Sequence, residues 1–148
     1  MSRQGKIECG DGNSYDGGIE NDLPHGQGRI ISRDGSFYQG EFRDGKYHGY
    51  GSLQMPDGAG YSGEFRDGQF NGHGELVQPG IATYRGQFKD SKMHGTGVLS
   101  QDDGSKWEGG FVDGNMDGDG IMTLPTGESI AGRYENGKFV MQGLIKES

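Results

Sequence analysis

The stretch YSGEFRDGQFNGHGELVQ, Tyr61–Gln78, decides the fold, because it returns along the chain with the same rhythm. Tyr15, Tyr38, Tyr61, Tyr84, Trp107 and Ile130 stand 23 residues apart, with no insertion or deletion between them. Glycine follows two residues after each (Gly17, Gly40, Gly63, Gly86, Gly109, Gly132), and two further on stands Ile19, Phe42, Phe65, Phe88, Phe111 or Tyr134. Paired glycines come next: Gly26/Gly28, Gly49/Gly51, Gly72/Gly74, Gly95/Gly97 and Gly118/Gly120, reduced to Gly143 in the last copy. Self-similarity at a fixed period of this size means a repeat architecture, in which each small unit buries its apolar face only by stacking on its neighbours.

Composition narrows what such an array can be. Apolar residues make up 29% of the 148, 32 positions are glycine, and the mean hydropathy is -0.84. That is too little aliphatic material for a two-layer globule. Low hydrophobicity favours disorder, but seven Phe, seven Tyr and one Trp at regular spacing mark an ordered chain. The glycines do not fall at every third residue, which excludes a collagen helix. A lone cysteine, Cys9, makes no internal disulfide, and no CxxC pair exists to hold zinc; both features fit a reducing compartment. The first ten residues, MSRQGKIECG, lack an apolar core of signal-peptide length, and no apolar run approaches the roughly 20 residues of a membrane span. The expected location is the cytoplasm.

Fourteen Lys and Arg against 22 Asp and Glu give a net charge of -8. Residues 29–92 carry eight of each sign, residues 93–148 four basic and nine acidic, and residues 1–28 two and five. No third of the chain has the basic excess that nucleic acid or an anionic membrane attracts.

Gly5, Ile7 and Asp11-Gly12 match Gly28, Ile30 and Asp34-Gly35, so residues 1–14 read as the second half of a repeat. Five full repeats follow (15–37, 38–60, 61–83, 84–106, 107–129), then a terminal, capping copy over 130–148, the whole forming one repeat domain. Within a repeat the pattern alternates, which is the strand period. Asp44-Gly45 is a strong hairpin signal. Centring the turn there pairs Phe42 with Tyr47, Gly40 with Gly49 and Tyr38 with Gly51, and sets these residues and Leu53 on one face. Gln39, Glu41, Arg43, Lys46, His48, Tyr50 and Ser52 take the other. Each large ring then has a glycine opposite or diagonal to it, so rings can lie over bare backbone. Keeping the faces aligned requires an odd-length loop around Asp57-Gly58. The expected fold is all-β: an elongated, single-layer, twisted antiparallel sheet of consecutive hairpins, solenoid-like. About 13 strands at roughly 4.8 Å spacing make it about 60 Å long. Ser91 for the turn glycine, the shifted loop glycine in Gln78-Pro79-Gly80-Ile81, and Ile130 and Met141 in the last copy depart from the pattern.

Units of the form Y-x-G-x-F-x-x-G, then G-x-G, then D-G, at this period resemble MORN repeats, and the likeness runs from Gly5 to Ile145. Where that family usually has Trp at the second aromatic position, this chain has Phe42, Phe65, Phe88 and Phe111, with Ile19 a weaker version. The resemblance implies scaffolds and adaptors. These work at cytoskeletal structures, at membrane junctions, or beside the catalytic domains of lipid kinases and lysine methyltransferases. It also implies phosphoinositide binding in some members. The expectation for this chain is a small stand-alone member with no attached catalytic domain.

A one-layer sheet leaves an apolar face for something to cover. The favoured reading is a concave aromatic and glycine groove lined by Tyr15, Tyr38, Phe42, Tyr47, Tyr61, Phe65, Phe70, Tyr84, Phe88, Trp107 and Phe111, which receives a partner's helix or extended segment. The alternative is that the rings stack on one another and receive nothing. The open edge near Gly5–Ile7 is a template for a second copy. A membrane tether is the rival function, with Arg66, Arg85, Lys89 and Lys92 as a local basic patch, and a positioning subunit for a separate enzyme is a third.

Asp113-Gly114-Asn115-Met116-Asp117-Gly118 resembles the opening of a calcium loop, but Leu124 stands where the ligating Glu belongs, and the repeat phase makes Asp113-Gly114 a hairpin turn. His25, His48 and His94 share one repeat position, with Asn71 in the gap, and lie two strands apart, too far to share a metal. No nucleophile–base pair and no phosphate loop leading into a helix is present. The reading is therefore a protein with no catalytic residues, no metal and no cofactor.

Overall fold

The computed structural model describes residues 2–8 and 11–145; Cys9 lies outside them. Thirteen strands form one antiparallel sheet whose order follows the chain, and the described residues contain no helix. The chain divides into two compact units at Gly74/Glu75. The first holds β1 (Ser2–Glu8), β2 (Ser14–Glu20), β3 (Leu23–Ile31), β4 (Phe37–Arg43), β5 (Lys46–Gln54) and β6 (Gly60–Arg66). Strand β7 (Gln69–Gln78) runs through the division. The second unit continues with β8 (Ala82–Lys89), β9 (Lys92–Gln101), β10 (Lys106–Val112), β11 (Asn115–Thr123), β12 (Ser129–Glu135) and β13 (Lys138–Ile145).

The hairpin turns follow from the sequence. Asp44 and Gly45 have φ of 50° and 86°, and Asp113 and Gly114 have 49° and 87°, the two left-handed residues of a type I′ turn. Asn21-Asp22 and Asp90-Ser91 adopt the same conformation without glycine. The longer connections are odd in length, as facing demands. Gln54 pairs with Gly60 across residues 55–59, where Met55 N–H donates to Ala59 O at 2.8 Å and Asp57 Oδ1 accepts from Ala59 N–H at 2.9 Å.

The register inside the hairpins β2–β3, β4–β5, β8–β9 and β10–β11 departs from the expectation, and β4–β5 shows how. Phe42 does pair with Tyr47, but Gly40 pairs with Gly51 rather than Gly49, and Tyr38 with Leu53 rather than Gly51. Residues 48–50 stand together opposite Glu41, a bulge that adds two residues to the second strand. Because two is an even number, every later side chain of these hairpins keeps its expected face; in β12–β13 the shift between Ala131 and Gly132 is a single residue, so Leu144 rather than Gly143 pairs with Ile130. The bulge places the glycines in one row, Gly5–Gly17–Gly28–Gly40–Gly51–Gly63 in the first unit and Gly86–Gly97–Gly109–Gly120–Gly132 in the second. Beside it runs a row in which rings alternate with aliphatics, Ile7–Tyr15–Ile30–Tyr38–Leu53–Tyr61 and Tyr84–Leu99–Trp107–Met122, until Ile130 and Leu144 end it without a ring. At the end of the glycine row Met141 pairs with Gly132 and is exposed.

Candidate functional site

The aromatic face is built from one contact set repeated along each unit. In the first, Tyr38 lies flat on Tyr47 (ring centroids 3.9 Å, 8° between planes) and meets Phe42 and Phe65 edge-on at 5.0 and 5.2 Å. Tyr15 meets Phe42 at 4.9 Å, and Tyr61 stacks on Phe70 at 3.8 Å. The second unit repeats the step: Tyr84 meets Phe88 and Phe111 edge-on at 5.0 Å each, and Trp107 meets Tyr134 at 4.9 Å. Edge-to-face contacts of this kind are favoured by the ring quadrupole. They bury the rings without a second layer.

Each leading ring lies over a glycine. A Cβ at Gly51 would stand 2.2 Å from the Tyr38 hydroxyl, and one at Gly28 would stand 2.1 Å from that of Tyr15. The polar tip of each leading ring donates to the carbonyl three residues on. Tyr15 donates to Gly18, Tyr38 to Glu41 and Tyr61 to Glu64 at 2.7 Å each, Tyr84 to Gln87 at 2.8 Å, and Trp107 Nε1 to Gly110 at 3.1 Å. A buried hydroxyl needs such a partner. Burial pushes the phenols of Tyr15, Tyr38 and Tyr61 above the ordinary tyrosine value, and that of Tyr84 up to about 12. The sequence reading missed this bond. Its signal was there: the leading position holds Tyr or Trp in five copies, while the second aromatic position holds Phe in four.

Of the eleven candidate groove residues, nine are core: Tyr15, Tyr38, Phe42, Tyr61, Phe65, Tyr84, Phe88, Trp107 and Phe111 are all at most 4% exposed. Tyr47 and Phe70 are half-buried. With them on this face of the first unit are Ile30 and Leu53, also half-buried. On the polar face, Arg85 is held by Glu75 through Nε at 2.9 Å and Nη2 at 2.5 Å, while Lys89 and Lys92 stand directly opposite one another. His25 lies 3.3 Å from Glu20 and 3.8 Å from Asp44. Asp113-Gly114 is the turn between β10 and β11, and no three His, Cys, Asp or Glu among the described residues gather as metal ligands.

With this geometry in place, the family model of the MORN repeat matches residues 15–37, 38–60, 61–79, 84–106 and 107–129. The chain belongs to the MORN-repeat family. The third match stops at residue 79, where the shifted loop glycine breaks the pattern. Among curated proteins nothing matches the chain. Among solved structures it is similar to the TCP domain of SAS-4 (dCPAP) of Drosophila melanogaster, determined in complex with a proline-rich motif of Ana2 (dSTIL). That likeness covers 94% of this chain and 88% of the other, at 15% identity and a TM-score of 0.44. MORN repeats are in general protein- or membrane-binding units.

Proposed function

We propose that this MORN-repeat chain is a non-catalytic scaffold that holds a helix or extended segment of a partner protein on its aromatic face, in the cytoplasm, at a cytoskeletal structure or membrane. The observation that carries the reading is the division of labour on that face. The large rings are used internally, while Ile30, Tyr47, Leu53 and Phe70 remain half-buried beside them, an apolar strip in a polar surround. Rings already held by stacking lose little freedom when a partner covers them, which favours binding.

Capture from native extract tests the reading, with wild type beside Tyr47→Ser/Leu53→Ser, circular dichroism as the folding check, and anionic vesicles run in parallel. A protein retained only by the wild type supports the scaffold. Salt-sensitive pelleting on vesicles without protein capture replaces it with the membrane tether. That second reading has less behind it, because the net charge is -8 and Arg85 is already paired with Glu75. A captured partner with a catalytic domain makes the chain a positioning subunit. Self-association through the free side of β1 is a separate element of the proposal, and deleting residues 1–14 lowers the sedimentation mass if β1 carries it.

A further inference from the structure

We propose that the hollow between the last two hairpins of the second unit receives a partner peptide presenting an apolar side chain next to a lysine or arginine. The proposal deepens the protein-binding reading and rests on it, since it names the chemistry of a bound segment.

Adjacent hairpin turns are normally tied together. Gly45 N–H donates to Pro24 O, Gly68 N–H to Tyr47 O and Gly114 N–H to Met93 O, each at 2.9 Å. In the same phase Gly137 should donate to Met116, and no such bond forms. An open hollow of about 550 Å³ lies there instead, lined by Val112, Met116 and Tyr134 among apolar groups and by Asp113, Asp117 and Asn136 among polar ones. That volume lies within the usual range for ligand sites, roughly 300–1,000 Å³.

The cause is in the last repeat. Ile130 stands where the other repeats have a ring, so Tyr134 has no leading ring of its own repeat to meet. It contacts Trp107 and Phe139 and stays half-buried, whereas its counterparts Phe42, Phe65, Phe88 and Phe111 are core. Met116 and Tyr134 also line a second, smaller hollow of about 80 Å³, whose other walls include Leu99, Trp107 and Met122. An apolar anchor at Met116 and Tyr134 therefore has further apolar surface beyond it.

Charge chooses the rest of the occupant. Neither Asp113 nor Asp117 has a salt-bridge partner among the described residues. The bases of β12 and β13 are turned elsewhere. Arg133 is engaged by Asp119 at 3.8 Å and Glu135 at 3.1 Å, and Arg133 and Lys138 alternate with Tyr134 and Phe139 and so face the other side of the sheet. Residues 93–148 hold four basic and nine acidic side chains, so the field around the hollow is negative. A lysine or arginine can lay its aliphatic stem on the apolar wall and its charge at Asp113 and Asp117.

Trp107, the chain's single tryptophan, lines the inner hollow, so its emission reports on this site. The experiment titrates the protein with a capped peptide carrying Arg-Leu-Lys between Gly-Ser flanks, and with a counterpart carrying Glu-Leu-Glu. A saturable change in Trp107 emission is expected with the basic peptide only. Asp113→Asn/Asp117→Asn, both at exposed positions, should weaken it roughly three- to tenfold, and Met116→Arg should remove it. No saturable change, or an equal response to the acidic peptide, overturns the proposal. If the Asp113→Asn/Asp117→Asn protein captures its extract partner undiminished while the peptide titration fails, this site falls and the protein-binding reading stands. Absence of any capture by wild type removes both.

Discussion

The hairpins β2–β3 and β4–β5 of the first unit make the same two-residue bulge by opposite means. In β4–β5, Glu41 stands opposite the bulge, and its Oε2 accepts from Tyr50 N–H at 2.7 Å. In β2–β3 the equivalent residue is Gly18, and a Cβ there would lie 2.1 Å from the His25 carbonyl oxygen. The bulge glycines answer accordingly. A Cβ at Gly49 would collide with the Glu41 carboxylate, while one at Gly26 would meet nothing within 4 Å. Both hairpins keep the tyrosine hydroxyl on the carbonyl of that same residue, Gly18 or Glu41. One site thus has two solutions: a side-chain carbonyl or carboxylate oxygen that caps the bulge, or a bare backbone that closes on it. The middle repeats use the first, with Glu64 on His73 N–H at 2.6 Å and Gln87 on Thr96 N–H at 3.0 Å; the fifth repeat uses Gly110 as the first uses Gly18.

The largest effect should fall on what the two hairpins share. Phe42 touches both Tyr15 and Tyr38 edge-on and is 4% exposed, so Phe42→Ala should cost about 3–5 kcal/mol in urea unfolding. Gly18→Ala comes next, at about 3 kcal/mol, because the His25 carbonyl must move to admit the methyl; a loss under about 0.5 kcal/mol would show that the two bulges are interchangeable. Glu41→Ala should cost about 1.5 kcal/mol, the worth of a hydrogen bond to a charged group. Glu41→Gln should cost under about 0.5 kcal/mol, since the fourth repeat already uses Gln87 in that role. Ser91→Gly should be the smallest change and a gain, about 0.5 kcal/mol, as serine there is held at φ 67°.

Much of this was legible in the sequence. The period, the hairpin turns, the odd loop and the two faces follow from alternation and from Asp-Gly placement. The bulge did not, because a two-residue turn read alone implies an unbroken ladder, and an even insertion leaves the face pattern unchanged. The signal lay in the first glycine of each G-x-G pair. Gly26, Gly49, Gly72, Gly95 and Gly118 all have φ between 67° and 83°, which a glycine inside a strand pattern often marks. Burial of the ladder was also hidden. Spacing puts Tyr38 and Phe65 on one face, but only the tilt of one ring against the other's edge shows that they cover each other. The open hollow near Met116 and Tyr134 was half legible: Ile130 in place of a leading ring marks the repeat that departs, but the turn bond missing between Gly137 and Met116 shows only in the backbone.

The central claim is that the leading tyrosines are core residues whose hydroxyls are bonded inside the sheet. Alkaline titration, following phenolate absorbance and circular dichroism together, tests it most directly. Folding raises these phenols above the unfolded value near 10, with Tyr84 pushed up to about 12. Their contribution to stability is therefore complete below pH about 10 and lost as pH rises from there through about 12. The account predicts that most of the phenolate signal appears only as the sheet signal collapses. All seven tyrosines ionising near pH 10 with the sheet intact would contradict it.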